Sequence, residues 1–204
     1  QVRTKTDIGS NPVSFMFTSI TLIKKIFDNI SSKKALVVGS GYMIQLAIKY
    51  LQSNNVRDIT LTNRNFDKGS KIAKDNGCNY SKLQYLPNII SSHDIIISCT
   101  SSTIPIIGKG MMESSINNIN AKPFVIIDLG VPRDVEPEIS DLENVYLYSI
   151  DDLGKVIKNN YKIREQAVAE AEKIIEYKIE DFKIWLNENH SDNLVKLYRG
   201  YVDD

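Results

Sequence analysis

The sequence predicts an α/β protein, a doubly wound and mostly parallel sheet followed by a long C-terminal helix, and three observations predict it. Short continuous apolar runs, Ala35-Leu36-Val37-Val38, Ile95-Ile96-Ile97 and Phe124-Val125-Ile126-Ile127, have the length of strands buried on both faces. Between them lie stretches whose apolar residues recur three and four apart, as helices require. From Asp151 onward the helical spacing continues for more than thirty residues with only Gly154 as a breaker.

In chain order, Gln1 to Gly9 is polar and reads as a connector. Asn11-Pro12 looks like a helix start, and Val13, Phe17, Ile20, Ile23, Lys24 and Phe27 trace a mostly apolar stripe to about Ile30. This leader, 1–30, either lies against the following domain or is the remains of a preceding one, with the second reading favoured.

Residues 34–65 form the organising βαβ unit. Ala35–Val38 stops at Gly39-Ser40-Gly41, a helix follows with Met43, Leu46, Ala47, Tyr50 and Leu51 on one side, and Ile59–Thr62 is the second strand. Glycines at a strand-to-helix turn serve conformation alone in many proteins. Here strand, helix and strand surround them in the order of a Rossmann-like dinucleotide site, where backbone N–H groups and the helix dipole hold a pyrophosphate. Tyr42, Met43 and Ile44 open that helix, and Ile44 stands where the G-x-G-x-x-G fingerprint has its third glycine. A branched side chain there must push the helix outward or turn into a gap. At the end of the second strand an NAD site usually has a carboxylate for the ribose 2′-OH; this chain has Asn63 and Arg64. A guanidinium grips a phosphate bidentately, so NADPH is the expected cofactor, although an Arg after a strand is also often a solvated loop residue.

Further on, Asp67–Asn76 reads as a helix ended by Gly77, Cys78–Ser81 as a weak strand and Leu83–Ser91 as a short helix. The strand Asp94–Cys99 runs into Thr100-Ser101-Ser102-Thr103. Ligands sit beyond the carboxyl ends of such strands, so Thr100, Ser101 and Ser102 either face the same crevice as Gly39–Gly41 or form an ordinary polar turn. Cys99, with no base placed beside it, reads as a small core residue. Phe124–Asp128 and Asn144–Ile150 complete the sheet, which spans 31–150. Asp128, Arg133 and Asp134 read as a local salt-bridged lock before acid–base groups, and His93 and His190 lie outside any constellation. In the helical segment 151–204, Asp151 or Asp152 can cap a helix to about Asn187. Val168, Ala171, Ile175, Ile179, Phe182 and Leu186 form a narrow seam suited to a partner helix, and Asn193–Val202 reads as a second, short helix.

Composition narrows the function classes. The 204 residues are 42% hydrophobic, and 25 Lys and Arg balance 25 Asp and Glu. That balance excludes the basic excess of a free-standing nucleic-acid binder. The two cysteines, Cys78 and Cys99, have no metal-ligand spacing and no disulfide framework, which fits a reducing cytoplasm; no metal site is expected. No signal peptide or membrane-length apolar run is present in the sequence. A chain starting at Gln1 is expected to be a segment of something longer.

Read together, the pieces resemble the glutamyl-tRNA reductase family. Val2-Arg3-Thr4-Lys5-Thr6-Asp7-Ile8-Gly9 looks like its V-R-T-E-T-D-I-G, Gly39-Ser40-Gly41-Tyr42-Met43 like G-x-G-x-M-G, and Thr62-Asn63-Arg64-Asn65 like A-N-R-T. Asp128-Leu129-Gly130-Val131-Pro132-Arg133-Asp134 is similar to D-[IL]-[AG]-V-P-R-D. Leu142–Leu153 is close to L-E-N-V-Y-L-Y-D-I-D-D-L. The resemblance implies an NADPH-dependent reductase that converts glutamyl-tRNA to glutamate-1-semialdehyde in tetrapyrrole (5-aminolevulinate) biosynthesis. It implies a preceding domain that carries the catalytic cysteine and contacts tRNA, so no catalytic residue is assigned here. It also implies a homodimer through the C-terminal helices and glutamate-1-semialdehyde aminomutase as a partner. The alternatives are a stand-alone, non-catalytic NADP-binding module and a small oxidoreductase similar to shikimate dehydrogenase. The D-L-G-V-P-R-D and L-E-N-V-Y-L-Y blocks speak against both.

Overall fold

The structure, a computed structural model, describes residues 14–116 and 122–202, with side chains at all of these except 166 and 188–202. The chain divides into two units, one over 12–158 that holds the sheet and one that takes in the helix from Asn159 onward.

Six parallel strands make the sheet: β1 (Lys34–Val38), β2 (Asp58–Asn63), β3 (Asn79–Lys82), β4 (Ile95–Ser98), β5 (Phe124–Asp128) and β6 (Val145–Ser149), in the order β3-β2-β1-β4-β5-β6. The connections wind outward in both directions from β1 and β4, which pair in register from Ala35↔Ile95 to Val38↔Ser98. Their carboxyl ends therefore part company as the chain leaves to opposite sides. That divergence is the topological switch point at which such sheets open a crevice.

Alternation in β1 divides the interior into two layers. Ala35 and Val37 face α1 (Phe15–Ile26) and α2 (Tyr42–Ser53), with Ile20, Ile23, Ile44, Ile48 and Leu51 buried among them. Leu36 and Val38 face the opposite layer of Leu86, Ile90, Met112 and Ile139. These come from the short helix α4 (Leu86–Ile89), the 3₁₀ turns Ile90–Ser92 and Pro137–Asp141, and α5 (Lys109–Ile116). Strands covered on both faces need no polar residues, which is why their sequences are uninterrupted apolar runs. The helix α3 (Phe66–Asp75) starts at Asn65, whose side chain accepts from the Lys68 N–H.

The expected leader helix belongs to this packing. The expected start at Asn11-Pro12 lies outside the described residues, and Ser14 caps α1 by accepting from the Phe17 N–H. Ile20, Ile23 and Phe27 of the expected stripe are buried in the core and Met16 joins them, whereas Phe17 is half exposed and Lys24 exposed, so the buried face departs from the stripe mainly at its start. Ser19 can join the buried face because its hydroxyl donates to the Phe15 carbonyl.

The last element, α6, is continuous from Ile150 to Val202 rather than two helices. Its cap is Ser149 and not Asp151 or Asp152. The Asp152 N–H donates to Ser149 Oγ, while the Asp152 carboxylate accepts from the Ser149 N–H and hydroxyl, a reciprocal capping box. That hydroxyl bond, chiefly, holds the Asp152 carboxyl below the usual range. Val168, Ile175, Ile179, Phe182 and Leu186 of the expected seam are exposed, and Ala171 is buried.

Candidate functional site

At the switch point lies a cleft of about 470 Å³. Gly39, Ser40 and Gly41 line its floor. Asn63, Arg64, Lys68 and Leu83 line the side toward β2, and Cys99 to Ser102, Ile104 and Ile106 the side toward β4.

The two glycines do different work. Gly39 has φ of +124° and runs so close to the Cys99 carbonyl that a Cβ has no room. Gly41 has an ordinary extended backbone with nothing within 4 Å of where its Cβ would stand. No side chain caps the helix there, so the N–H groups of the first turn of α2 have no capping side chain as partner, next to a turn, Gly39 to Gly41, that lines the cleft. That is the donor set a pyrophosphate needs, with a helix dipole behind it.

Of the expected contacts, Gly39, Ser40, Gly41, Asn63, Arg64, Thr100, Ser101 and Ser102 are brought to this one cleft. Tyr42, Met43 and Ile44 do not line it: Tyr42 is 75% exposed, Met43 packs on the core and Ile44 is fully buried. What these three can offer a ligand is backbone N–H, not side chain. Ile44 resolves the choice posed by the missing third glycine by turning inward.

Lys68 was missed by sequence reasoning. It lies in the first turn of α3, where its N–H donates to the Asn65 cap, and with Arg64 it lines the cleft. The available signal was the spacing itself, since the cap fixes where the fourth residue after Arg64 points. Among the described residues no carboxylate lines the cleft.

Behind the β4 side sits a buried acidic pair. Asp128 accepts from the N–H groups of Gly130 at 2.9 Å, Val135 at 3.2 Å and Asp134 at 3.3 Å. Burial nonetheless pushes its carboxyl up, with the charge of Asp134 adding to the effect. Asp134 takes the Ser98 hydroxyl at 2.6 Å, the Thr100 N–H at 2.8 Å and the Thr100 hydroxyl. The expected salt-bridged lock is corrected here, because Arg133 reaches Asp151 at 3.6 Å instead. Hydroxyl and amide donors hold these carboxylates.

Cys99 is half-buried, its thiol 3.6 Å from the Leu129 carbonyl and pushed up first by burial and then by Asp134 and Asp128. Burial likewise raises Cys78. Neither is an activated nucleophile. His93 is buried at the opposite end of the sheet between the Ile89 carbonyl and Thr60 Oγ1. Among the described residues no group of three or more His, Cys, Asp and Glu could hold a metal ion, and no helix is long and apolar enough to cross a membrane.

Comparison with known proteins follows the same lines. The sequence pattern of the shikimate / quinate 5-dehydrogenase family matches residues 21–156. The glutamyl-tRNA reductase of Methylococcus capsulatus is 41% identical over 186 residues, 91% of this chain and 44% of that protein. Among solved structures, glutamyl-tRNA reductase from Methanopyrus kandleri superposes with a TM-score of 0.78 at 28% identity, over 86% of this chain and 44% of that one. The nucleotide-binding domain of the Thermoplasma volcanium glutamyl-tRNA reductase, at 24% identity and a TM-score of 0.58, shares the fold over 76% of this chain and 99% of its own. The chain spans about half the length of the curated relatives it matches.

Proposed function

The chain belongs to the shikimate / quinate 5-dehydrogenase family, and on that premise we propose that it is the NADPH-holding portion of a glutamyl-tRNA reductase. One observation carries the cofactor assignment: Arg64, just after β2, and Lys68, in the first turn of α3, line one cleft, and among the described residues no carboxylate lines it. Two cations there suit a ribose 2′-phosphate, and the carboxylate that would favour a 2′-hydroxyl is missing. The extent of likeness to glutamyl-tRNA reductases, about 40% identity over nearly the whole chain, supports the reaction.

NADPH, when bound, supplies a hydride. The residues of this chain hold and orient it. The first turn of α2 with Gly39 to Gly41 would hold the pyrophosphate, Arg64 and Lys68 would hold the 2′-phosphate, and the β4-side wall would border the nicotinamide half. In this reading the reduced group is the glutamyl carbonyl, passed from glutamyl-tRNA, with release of the tRNA ribose hydroxyl, to a thioester on a cysteine other than Cys78 and Cys99, whose thiols are raised by burial. The tRNA is bound outside these residues, consistent with a net charge of zero. The exposed seam on α6 is read as a homodimer contact through the C-terminal helices. The free thiols Cys78 and Cys99 fit a reducing compartment, and under this reading we assign the chain to the cytoplasm.

Calorimetric titration of NADPH and NADH into the wild-type chain and Arg64→Ala tests the cofactor assignment. NADPH is expected to bind the wild type more tightly, and Arg64→Ala to cost NADPH about 1.5–3 kcal/mol while leaving NADH unchanged. Equal affinities that survive the substitution would overturn it.

A further inference from the structure

Asp134 touches both ends of the loop that walls the cleft on the β4 side. Its carboxylate holds the near end, accepting from Ser98 Oγ, the Thr100 N–H and the Thr100 hydroxyl. Its backbone carbonyl holds the far end, accepting from the N–H groups of Ile106 at 2.7 Å and Ile107 at 3.0 Å. Its own N–H is anchored to Asp128, at the end of the neighbouring strand. Residues 101–105 are what lies between the two ends, and Ser101, Ser102 and Ile104 of these line the cleft.

The near end continues as a relay. Thr100 donates its hydroxyl to Asp134 and accepts the Ser102 N–H at 3.1 Å. The hydroxyl and N–H of Thr100 are thus committed to the protein, although the residue lines the cleft. The Ser102 hydroxyl is committed as well, donating to the Ile104 carbonyl at 2.6 Å. Ser101, exposed between them, is the serine of this wall whose hydroxyl faces no such commitment and can meet a ligand. Gly130 completes the arrangement: a Cβ on it would lie 2.8 Å from the Asp134 carboxyl carbon, so only glycine lets the β5 turn pass beside this carboxylate.

We propose that Asp134 is a positioning residue for the cofactor. Acting through the Thr100 hydroxyl, it sets the wall that presents Ser101 to the nicotinamide half of the dinucleotide, and Thr100 is part of the setting rather than a ligand contact. The inference rests on the NADPH reading of the cleft. A dinucleotide at a switch point lays one nucleoside to each side, so the adenosine half lies toward Arg64 and Lys68 and the nicotinamide half toward this wall. Removing the relay must therefore weaken the whole cofactor and leave its adenosine fragment alone.

The test uses two probes, NADPH followed by nicotinamide fluorescence and adenosine 2′,5′-bisphosphate followed by calorimetry. Wild type, Asp134→Ala, Thr100→Val and Thr100→Ser are compared. Thr100→Val is isosteric and removes only the hydroxyl, so it carries the test if Asp134→Ala does not fold. The expected result is a loss of about tenfold in NADPH affinity for Asp134→Ala and Thr100→Val. Binding of the adenosine bisphosphate should be unchanged, and Thr100→Ser should return NADPH binding to the wild-type level. Equal losses for both probes would show a general structural role and overturn the proposal, as would NADPH binding that Thr100→Val leaves intact. A wild-type chain that binds neither probe would overturn the cofactor reading, and this inference with it.

Discussion

Ile44 Cγ1 lies 3.2 Å from the point that a Cβ on Gly39 would occupy. The first glycine of the turn and the residue standing in place of the third therefore share one space, with Ile44 filling what Gly39 leaves. Gly39→Ala is expected to destabilise the chain by about 2 kcal/mol or more, since it adds backbone strain at a positive φ to a collision with the Cys99 carbonyl. Ile44→Ala is expected to cost about 2–5 kcal/mol as a core truncation while leaving NADPH affinity unchanged. Urea midpoints and a cofactor titration check both. A large change in affinity for Ile44→Ala would mean that it sets the height of the helix over the pyrophosphate.

Gly41 should behave in the opposite way. Its backbone is one alanine adopts freely and its Cβ would meet no protein atom, so Gly41→Ala should change stability by less than about 1 kcal/mol. The added methyl stands in the space assigned to the pyrophosphate, and NADPH should bind at least about tenfold more weakly. A variant that melts and binds like wild type would remove the pyrophosphate from this turn.

His93 gives the domain a pH dependence. Burial, the largest effect, lowers its pKa, with Lys34 acting in the same direction and the Ile89 carbonyl, Asp58 and Asp94 against it. A folded-state pKa below the unfolded value means that the unfolded chain binds more protons in between. Stability is therefore complete above about pH 6.5 and falls as the pH drops through the unfolded value toward the folded one. Denaturant titrations between pH 5 and 8 should show this slope in wild type and its loss in His93→Gln. An identical slope in the variant would assign it to other groups.

Self-association should depend on the α6 seam. Ile175 and Ile179 are each 46% exposed, with Phe182 and Leu186 following at helical spacing. Light scattering at increasing concentration is expected to show a dimer that Ile175→Asp converts to monomer. A wild type that stays monomeric throughout would contradict the dimer reading for this chain.

The strands around β1, β4 and β5 were legible because complete burial leaves a direct trace, runs such as Ile95-Ile96-Ile97 without polar interruption. The glycine turn was legible for a similar reason, since few other residues serve there. Longer-range determinants left no such trace. Asp134 looked like half of a charged turn, while its partners Ser98 and Thr100 lie 36 and 34 residues away. The phase of α1 was hidden because Thr18 and Ser19 are buried beside its apolar residues. Helix α5 was not read at all: among Gly110, Ser114 and Ser115 it offers Met112 as its fully buried apolar anchor. The cap of α6 is expected at Asp151 or Asp152 because acidic residues favour the first turn of a helix, and only the reciprocal bonds show that Ser149 begins it.

The meeting of β1 and β4 has a bearing on how the chain becomes native. Lys34 and Asp94, bonded at the start of those strands, are 60 residues apart in sequence. The floor and far wall of the cleft thus come from the two flanks of a single long-range docking event, the slow kind of contact in parallel sheets. Floor and wall exist as a pair only once that docking is complete. A ligand that touches both acts as a non-covalent staple across the seam, and by mass action at a hundred times its dissociation constant it adds about 2.7 kcal/mol to the native state. Without such a ligand, only the packing and hydrogen bonds of the chain itself would hold floor and wall together across β1 and β4.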